Sequence, residues 1–197
     1  GEGDAYHNRR MSMVKVLSEY ILSLGQEAYI PNFFCKAYRP VLYIPSKEEV
    51  KELLQKMDIR TSHNSEQFRL DRECKILFLL YFCCGLRLSE GRLLKWEHID
   101  LDKGILTVLG SKGNKDRLVY LPQDSLPVLK NYKERQEMLF PGIDWAFPGK
   151  DPHKPVSCSG VESSFNRHWA MLPVARTVDK HPTPHCLRHA FVVERFN

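Results

Sequence analysis

Apolar residues recur every three or four positions through most of the chain, which is the spacing of one face of an α-helix. The pattern runs first from about Tyr6 to Leu24, and Gly25 is expected to end that helix. A second helix is expected to start after Ser46, because Glu49 follows three residues later and completes a capping box. Prolines punctuate the stretch between these helices, which predicts a linker or an extended arm.

The middle of the chain contains the most apolar segment. Residues Arg72 to Cys84 predict a buried helix, with a polar loop from Asp58 to Gln67 before it and Gly85 turning the chain after it. Further helical patterns cover Ser89 to Trp96, Gln123 to Leu139 and Ser157 to Leu172. A last helix is expected near the end, with Thr183 as its N-cap and Pro184 at its first position.

Two strand-like runs interrupt the helices. Gly104 to Leu109 and Arg117 to Leu121 are rich in branched apolar residues, and the segment between them contains two glycines and an asparagine. This pattern is typical of a β-hairpin. The sequence therefore predicts a mainly α fold with a small antiparallel β-sheet.

Composition narrows the class of protein. The chain is 43% hydrophobic and 27% charged, as in ordinary globular proteins, and its net charge of +5 permits a polyanionic partner without requiring one. Six cysteines without Cys-x-x-Cys spacing predict free, reduced thiols and hence a cytoplasmic protein. The longest apolar run, Ile76 to Cys84, is too short to span a bilayer, so no membrane partner is expected.

Two arginine motifs about a hundred residues apart contain the candidate chemistry. They read Gly85-Leu86-Arg87-Leu88-Ser89-Glu90 and Thr183-Pro184-His185-Cys186-Leu187-Arg188-His189. Two guanidinium groups at helix ends can clamp one phosphate, because each stays charged and its planar fork matches two phosphate oxygens. His185 lies one helical turn before Arg188, at a helix N-terminus that favours an anion.

Each motif also permits a simpler interpretation. Arg87 and Glu90 would also fit a buried ion pair without catalytic meaning, and Lys112 would fit a solvated basic turn. His185 and His189 have the i, i+4 spacing of zinc ligands, but no acidic residue or third ligand accompanies them locally, so no metal site is predicted. A structural role is expected for His189.

The order of an arginine motif, a lysine turn and His-x-x-Arg-His resembles the tyrosine recombinase (phage integrase) family over residues 46 to 197. The resemblance implies the DNA breaking-rejoining fold of that family's catalytic domain. It also implies that Arg87 and Arg188 bind the scissile phosphate, that Glu90 orients the site, and that His185 hydrogen-bonds the phosphate or helps to move the nucleophile's proton. At Gly91 the chain departs from the family, which usually has a larger apolar residue there.

The same resemblance assigns a general acid to the predicted hairpin turn. Lys112 is the better match to the family's lysine and Lys115 is the reserve, because Ser111 is inserted before Lys112. By resemblance, Lys112 protonates the departing 5′ oxygen, a role worth roughly 10²–10⁴-fold in rate. Other basic residues are expected on solvated faces, some of them along DNA: Arg69, Arg72, Lys75, Lys95, Arg117, Lys130, Lys133, Arg135, Arg167 and Arg176.

The family's nucleophilic tyrosine follows the His-x-x-Arg-His helix, where this sequence ends at Asn197. Tyr81, Tyr120 and Tyr132 are predicted in a buried helix, a strand and a helix, and none fits the nucleophile's place. We therefore expect residues 46–197 to be a catalytic domain incomplete at its C-terminus, and this stretch alone to be inactive. Residues 1–45 are expected to be the end of a DNA-clamping domain and its linker.

The sequence thus predicts a site-specific recombinase or integrase that works through a 3′-phosphotyrosine intermediate. Its expected partners are double-stranded DNA and other protomers of the same recombinase in a synaptic complex, and neither a cofactor nor a metal is expected. Two alternatives stay open: a type IB topoisomerase-like relaxing enzyme, and a non-catalytic DNA-binding protein of the same fold.

Overall fold

A computed structural model describes residues 4–35, 42–59, 63–111, 115–179 and 181–196. The chain forms two compact units, Gly1–Val41 and Leu42–Asn197. The first contains α1 (Asp4–Ser23), which confirms the helix predicted there, and Gly25 follows in the left-handed region with φ 75°. The Asn8 side chain exchanges two hydrogen bonds with the backbone of Cys35, at 2.6 and 2.7 Å, so the segment after the helix folds back on it.

The second unit opens with two capped helices. In α2 (Lys47–Lys56) the predicted capping box is present, since the backbone N–H of Glu49 donates to Ser46 Oγ at 3.2 Å and that of Ser46 donates to Glu49 Oε2 at 2.8 Å. The long helix α3 (Ser65–Cys84) begins earlier than predicted. Its N-cap is Asn64, whose side-chain oxygen accepts from two backbone N–H groups, so the end of the predicted loop is helical.

The helices that follow are close to the predictions. They are α4 (Leu88–Arg92), α5 (Leu126–Leu139), α6 (Cys158–Trp169) and α7 (His185–Phe196). The predicted helix over Ser89 to Trp96 is wrong in its second half, because the chain leaves α4 at Leu93 and continues as a 3₁₀ turn at Trp96–His98. Pro184 lies one residue before the first residue of α7 rather than inside it.

The predicted hairpin is confirmed as β2 (Ile105–Ser111) and β3 (Lys115–Tyr120), paired antiparallel with Leu106 opposite Val119 and Val108 opposite Arg117. A short strand not predicted from the sequence, β1 (Ile99–Asp100), pairs with β2. The described strands form one antiparallel sheet in the order β1-β2-β3. No described helix is long and apolar enough to cross a membrane.

Helix α3 is the centre of the second unit and packs against α2, α4, α6 and α7. Its later turns bury Leu77, Phe78, Leu80 and Tyr81, each 1% exposed or less. Burying a side chain of this size stabilises the fold by about 1.5–3 kcal/mol. The end of this helix is therefore rigidly held, and that end presents the first arginine motif.

Gly91 is explained by the packing of α4 on α3. A Cβ atom at this position would lie 2.4 Å from Tyr81 Cε1 and 2.9 Å from Leu77 Cδ1. The Tyr81 hydroxyl donates to the carbonyl oxygen of Leu88 at 3.0 Å, so the ring fills the space that a larger residue would otherwise occupy.

We expect Gly91→Ala to lower the free energy of unfolding by about 1–3 kcal/mol, although alanine favours helices, because the new methyl group overpacks a core position. Urea denaturation measures the effect. Gly160→Ala in α6 is the control. The nearest atom to its new Cβ would be Oγ of Ser157, the N-cap of α6, at 3.1 Å. If Tyr81 causes the clash, adding Tyr81→Leu to Gly91→Ala should recover most of the lost free energy of unfolding. A Gly91→Ala protein as stable as the wild type would contradict the packing argument.

Candidate functional site

Arg87 is placed by the turn between α3 and α4. Gly85 ends α3 with φ 60°, and Arg87 follows in an extended conformation as the N-cap of α4. Glu90 then reaches back one turn: its Oε2 accepts from the backbone N–H of Arg87 at 2.7 Å and its Oε1 accepts from Arg87 Nη1 at 2.6 Å. The predicted Arg87–Glu90 contact therefore exists and orients the guanidinium.

Glu90 lies at the centre of a larger ionic cluster. Arg117 on β3 donates to both of its oxygens, from Nη1 to Oε1 at 2.9 Å and from Nη2 to Oε2 at 2.7 Å. Arg188 on α7 brings its Nη1 to 4.0 Å from Glu90 Oε2. The carboxylate is 6% exposed, while the three arginine side chains are each about a third exposed. We call Arg87, Glu90, Arg117 and Arg188 the arginine cluster.

Arg188 is anchored to the end of α3. Its Nη1 donates to the backbone carbonyl oxygen of Gly85, which ties α7 to the turn that carries Arg87. Burial lowers the pKa of Arg188, and so does the positive charge of Arg87, while Glu90 acts in the opposite direction. An arginine remains a cation even so. With three cations around one anion, the cluster has a net positive charge that favours an anionic ligand.

The two histidines of α7 lie beside this cluster. The rings of His185 and His189 meet edge to face, with centroids 4.8 Å apart. Burial lowers the pKa of His185, and the nearby His189, Arg188 and Arg87 lower it further. His185 is therefore neutral at pH 7 and can donate one hydrogen bond and accept another. Within the described ranges, no group of three or more His, Cys, Asp or Glu side chains is arranged to hold a metal ion.

Five of the predicted site residues thus come together: Arg87, Glu90, His185, Arg188 and His189. Lys112 lies outside the described residues, and so does the side chain of Lys115, so their predicted roles stay predictions. Arg117 was predicted only as one of many basic residues. The available signal was its position at the start of an apolar run, Leu118 to Leu121, but only the fold shows that it faces Glu90.

The three tyrosines lie where the sequence predicts. Tyr81 is buried in α3, and Tyr132, on α5, is half-buried and donates its hydroxyl to the carbonyl oxygen of Ala146 at 2.7 Å. Burial raises the pKa of both phenols well above the usual value. Tyr120 ends β3 and is exposed. A neutral, buried hydroxyl that is committed to a backbone carbonyl is poorly suited to act as a nucleophile.

We expect Glu90→Ala to lower the free energy of unfolding by about 3 kcal/mol, because it leaves three guanidinium groups facing one another without their shared anion. Urea denaturation measures the loss. Glu97→Ala is the control, since Glu97 is 66% exposed and pairs with Lys95 at 3.5 Å, and such surface pairs are worth up to about 1 kcal/mol. Adding sulfate should restore more stability to Glu90→Ala than to the wild type, since an anion can replace the carboxylate. Equal losses in the two variants would contradict the central role of Glu90.

The pH dependence of stability gives a separate test of the same carboxylate. Burial acts to raise the pKa of Glu90, but hydrogen bonds from Arg117 and Arg87 outweigh it and hold the pKa far below its usual value of 4.5. A carboxylate whose pKa is lower in the folded state than in the unfolded state stabilises the fold. That contribution is complete above the unfolded-state pKa and is lost as the pH falls below it. The stability difference between the wild type and Glu90→Gln should therefore shrink on acidification below pH 4.5. A difference that stays constant there would contradict this assignment.

The sequence is similar to a family model and to curated proteins. The sequence model described as the Phage integrase family matches residues 46–194. The tyrosine recombinase XerC of Alcanivorax borkumensis is 31% identical over 185 residues, which cover 93% of this chain and 57% of that protein. The tyrosine recombinase XerA of Pyrococcus furiosus is 35% identical over 148 residues, covering 74% of this chain and 45% of that protein. The chain thus spans about half the length of these curated relatives.

Solved structures show the same fold. The Tn1549 transposon integrase in complex with circular intermediate DNA matches with a TM-score of 0.75 at 14% identity, covering 100% of this chain and 68% of that one. The XerH site-specific recombinase bound to difH substrate, in a pre-cleavage complex, matches with a TM-score of 0.64 at 23% identity, covering 91% and 50%. The mainly helical fold with a small antiparallel sheet, predicted from the sequence, is confirmed.

Proposed function

The chain belongs to the phage integrase family, and from this membership we propose that it forms the catalytic part of a site-specific recombinase that cleaves and rejoins double-stranded DNA. The observation that carries the proposal is the arginine cluster, with His185 beside it. Phosphodiester cleavage concentrates negative charge on the non-bridging oxygens, and fixed cations in a partly desolvated site stabilise that charge in the transition state.

In the proposed reaction, a tyrosine of the longer protein attacks the phosphorus atom. A 3′-phosphotyrosyl bond forms, the bond to the 5′ oxygen breaks, and Lys112 donates a proton to that oxygen. Arg87 and Arg188 hold the two non-bridging oxygens, and neutral His185 donates a hydrogen bond to the phosphate or accepts the proton of the nucleophile. The covalent link retains the energy of the broken bond, so the return step needs no nucleotide hydrolysis.

In this proposal the two other members of the arginine cluster, Glu90 and Arg117, have different tasks. Glu90 takes no direct part in the reaction, since both of its oxygens accept hydrogen bonds from arginines. It positions Arg87 through two contacts, and Arg117 fixes Glu90 in turn through a bidentate pair. As part of this proposal, residues 46–197 act as the catalytic domain and residues 1–45 as the end of a DNA-clamping domain. Other protomers join in a synaptic complex, and the protein acts in the cytoplasm.

The test uses the longer natural protein that contains this chain and a nicked duplex carrying its recombination site. A covalent protein–DNA adduct on the 3′ phosphate, formed equally well in EDTA, is the expected result. Mapping the adduct by mass spectrometry identifies the tyrosine. Duplex binding without any adduct would overturn the catalytic proposal and favour a DNA-binding protein of the same fold. Plasmid relaxation without strand exchange would instead identify a topoisomerase.

A further inference from the structure

Helix α3 ends in two adjacent cysteines, Cys83 and Cys84, directly before Gly85. Both are free thiols. Their Sγ atoms lie 3.5 Å apart, close enough for one thiol to donate a hydrogen bond to the other. The arginine cluster uses neither sulfur atom, so the chemistry of this pair is separate from that of the phosphate site.

The fold holds the two sulfur atoms in place. The pair lies at the end of α3 that is packed into the core, and Cys84 is only 4% exposed. Cys84 Sγ also donates a weak hydrogen bond, at 3.9 Å, to the carbonyl oxygen of Tyr120 on β3. A ligand that bonds to both sulfur atoms therefore meets them already close together and loses little conformational freedom in doing so.

The same positions are unsuited to a disulfide. Consecutive Cα atoms are about 3.8 Å apart, whereas disulfide-bonded cysteines have about 4.4–6.8 Å between their Cα atoms. Bringing the two sulfur atoms from 3.5 Å to bonding distance would therefore distort the last turn of α3. The pair is available as a dithiol.

The distance between the sulfur atoms selects the geometry of a ligand that bridges them. An atom bonded to both sulfurs at about 2.3 Å, the length of a zinc–thiolate bond, would have an S–X–S angle of about 99°. That angle fits a pyramidal atom with three bonds and a lone pair, such as trivalent arsenic. A linear two-coordinate ion such as Cu(I) would need its sulfur ligands about 4.6 Å apart at the same bond length.

The number of ligands also argues against a structural metal ion. Structural zinc takes four protein ligands, and the part of the chain that the structure describes contains no group of three or more His, Cys, Asp or Glu side chains arranged to hold a metal ion. Trivalent arsenic in an organic arsenical needs only two sulfur atoms, because its third bond goes to carbon.

The protonation of the thiols favours the same ligand. The hydrogen bond with Cys83 raises the pKa of Cys84 well above its usual value, and burial raises it further. Metal ions bind thiolates, so a raised pKa weakens their binding. An arsenical that carries hydroxyl groups takes up the thiol protons itself, because each hydroxyl group leaves as water.

We propose that Cys83 and Cys84 form a binding site for organic arsenic(III) compounds with two hydroxyl groups on arsenic. Cys83 is the half-buried member and reacts first, and the arsenic atom then closes onto Cys84. Two S–As bonds form, two As–O bonds break, and two water molecules leave with the thiol protons. Arsenic stays trivalent, so no oxidant or reductant is needed, and the inference does not depend on the proposed recombinase activity.

The first experiment titrates this chain with phenylarsine oxide, which hydrates to such a compound, and follows it by mass spectrometry of the intact protein. We expect one phenylarsenic unit in place of two thiol hydrogens, and peptide mapping should locate it on Cys83 and Cys84. Excess mercaptoethanol should leave this adduct in place, whereas dithiothreitol should remove it, because only a dithiol replaces both bonds at once. An adduct that mercaptoethanol removes would overturn the proposal.

Matched variants locate the site. Cys83→Ser should lower the affinity for phenylarsine oxide by about 10²–10⁴-fold, since the second bond no longer forms within the same molecule. Cys158→Ser is the control, because Cys158 is an exposed single cysteine at the start of α6. Circular dichroism checks that both variants are folded. Full affinity in Cys83→Ser, or an equal loss in Cys158→Ser, would overturn the proposal.

Competition with zinc tests the choice of ligand. Excess Zn²⁺ should not displace phenylarsine oxide from the wild type. Saturable zinc binding that phenylarsine oxide blocks and Cys83→Ser abolishes would identify the pair as a metal-ion site and overturn the assignment to trivalent arsenic.

Discussion

The affinity of this chain for duplex DNA should fall by about 10³-fold when salt rises from roughly 50 mM to roughly 200 mM, which corresponds to about six phosphate contacts. Each neutralised phosphate releases counterions, so the logarithm of the binding constant falls linearly with the logarithm of the salt concentration. We expect the arginines of the arginine cluster to make some of these phosphate contacts. Fluorescence anisotropy with a labelled duplex measures the slope.

The salt slope also reports on single residues. Replacing both Arg87 and Arg188 with Gln should reduce its magnitude by about two, since two phosphate contacts disappear. Lys130→Ala is the control, because Lys130 is half exposed on α5 and pairs with Asp102 at 3.2 Å. An affinity that stays flat across the titration contradicts electrostatic DNA binding. A slope equally reduced by Lys130→Ala contradicts the special role of the cluster.

Arg188→Ala and Arg87→Ala in the longer natural protein should each slow DNA strand cleavage by about 10²–10³-fold, as expected for removal of one preorganised donor to a developing anion. Arg188 is held against the end of α3 by Gly85 and faces Glu90, so its guanidinium needs little reorganisation to meet a phosphate. Single-turnover cleavage of a nicked duplex measures the rate. The double variant should lose less than the product of the two single effects, because the two arginines act as a unit.

Conservative replacement separates charge from geometry. Arg188→Lys keeps the charge but loses the planar fork, so it should recover only part of the lost rate. Arg176→Ala, an exposed residue of the 3₁₀ turn Pro173–Arg176, should cleave at the wild-type rate. Full activity in Arg188→Ala would show that this residue does not hold the phosphate, and the assignment of α7 to the site would then be wrong.

The local elements follow largely from the sequence because their signals are local. Ser46 and Glu49 cap α2 as predicted, since both contacts lie within one helical turn. Helix α3 begins several residues before its predicted start. Asn64 fits the predicted polar loop, but an asparagine is also a good N-cap, and here it caps the helix. The second half of the helix predicted after Ser89 does not form, since the chain instead leaves α4 to pair with the sheet.

The motif residues Arg87, Glu90, His185 and Arg188 were identified from two sequence motifs and from the resemblance of those motifs to the tyrosine recombinase family, and such motifs exist before the chain folds. Arg117 was not singled out, because it is brought to Glu90 only when the β2–β3 hairpin packs beside α4. A glycine is needed at position 91 because the ring of Tyr81 occupies the space of a side chain there. Tyr81 lies ten positions earlier, on another helix.

The sequence by itself therefore determined most of the helices, the capping box of α2, the hairpin and the two arginine motifs, because each depends on neighbours within a few positions. Only the tertiary structure decided that three guanidinium groups share one carboxylate. An ionic cluster of this kind depends on the close approach of segments far apart in the chain, which no local pattern encodes.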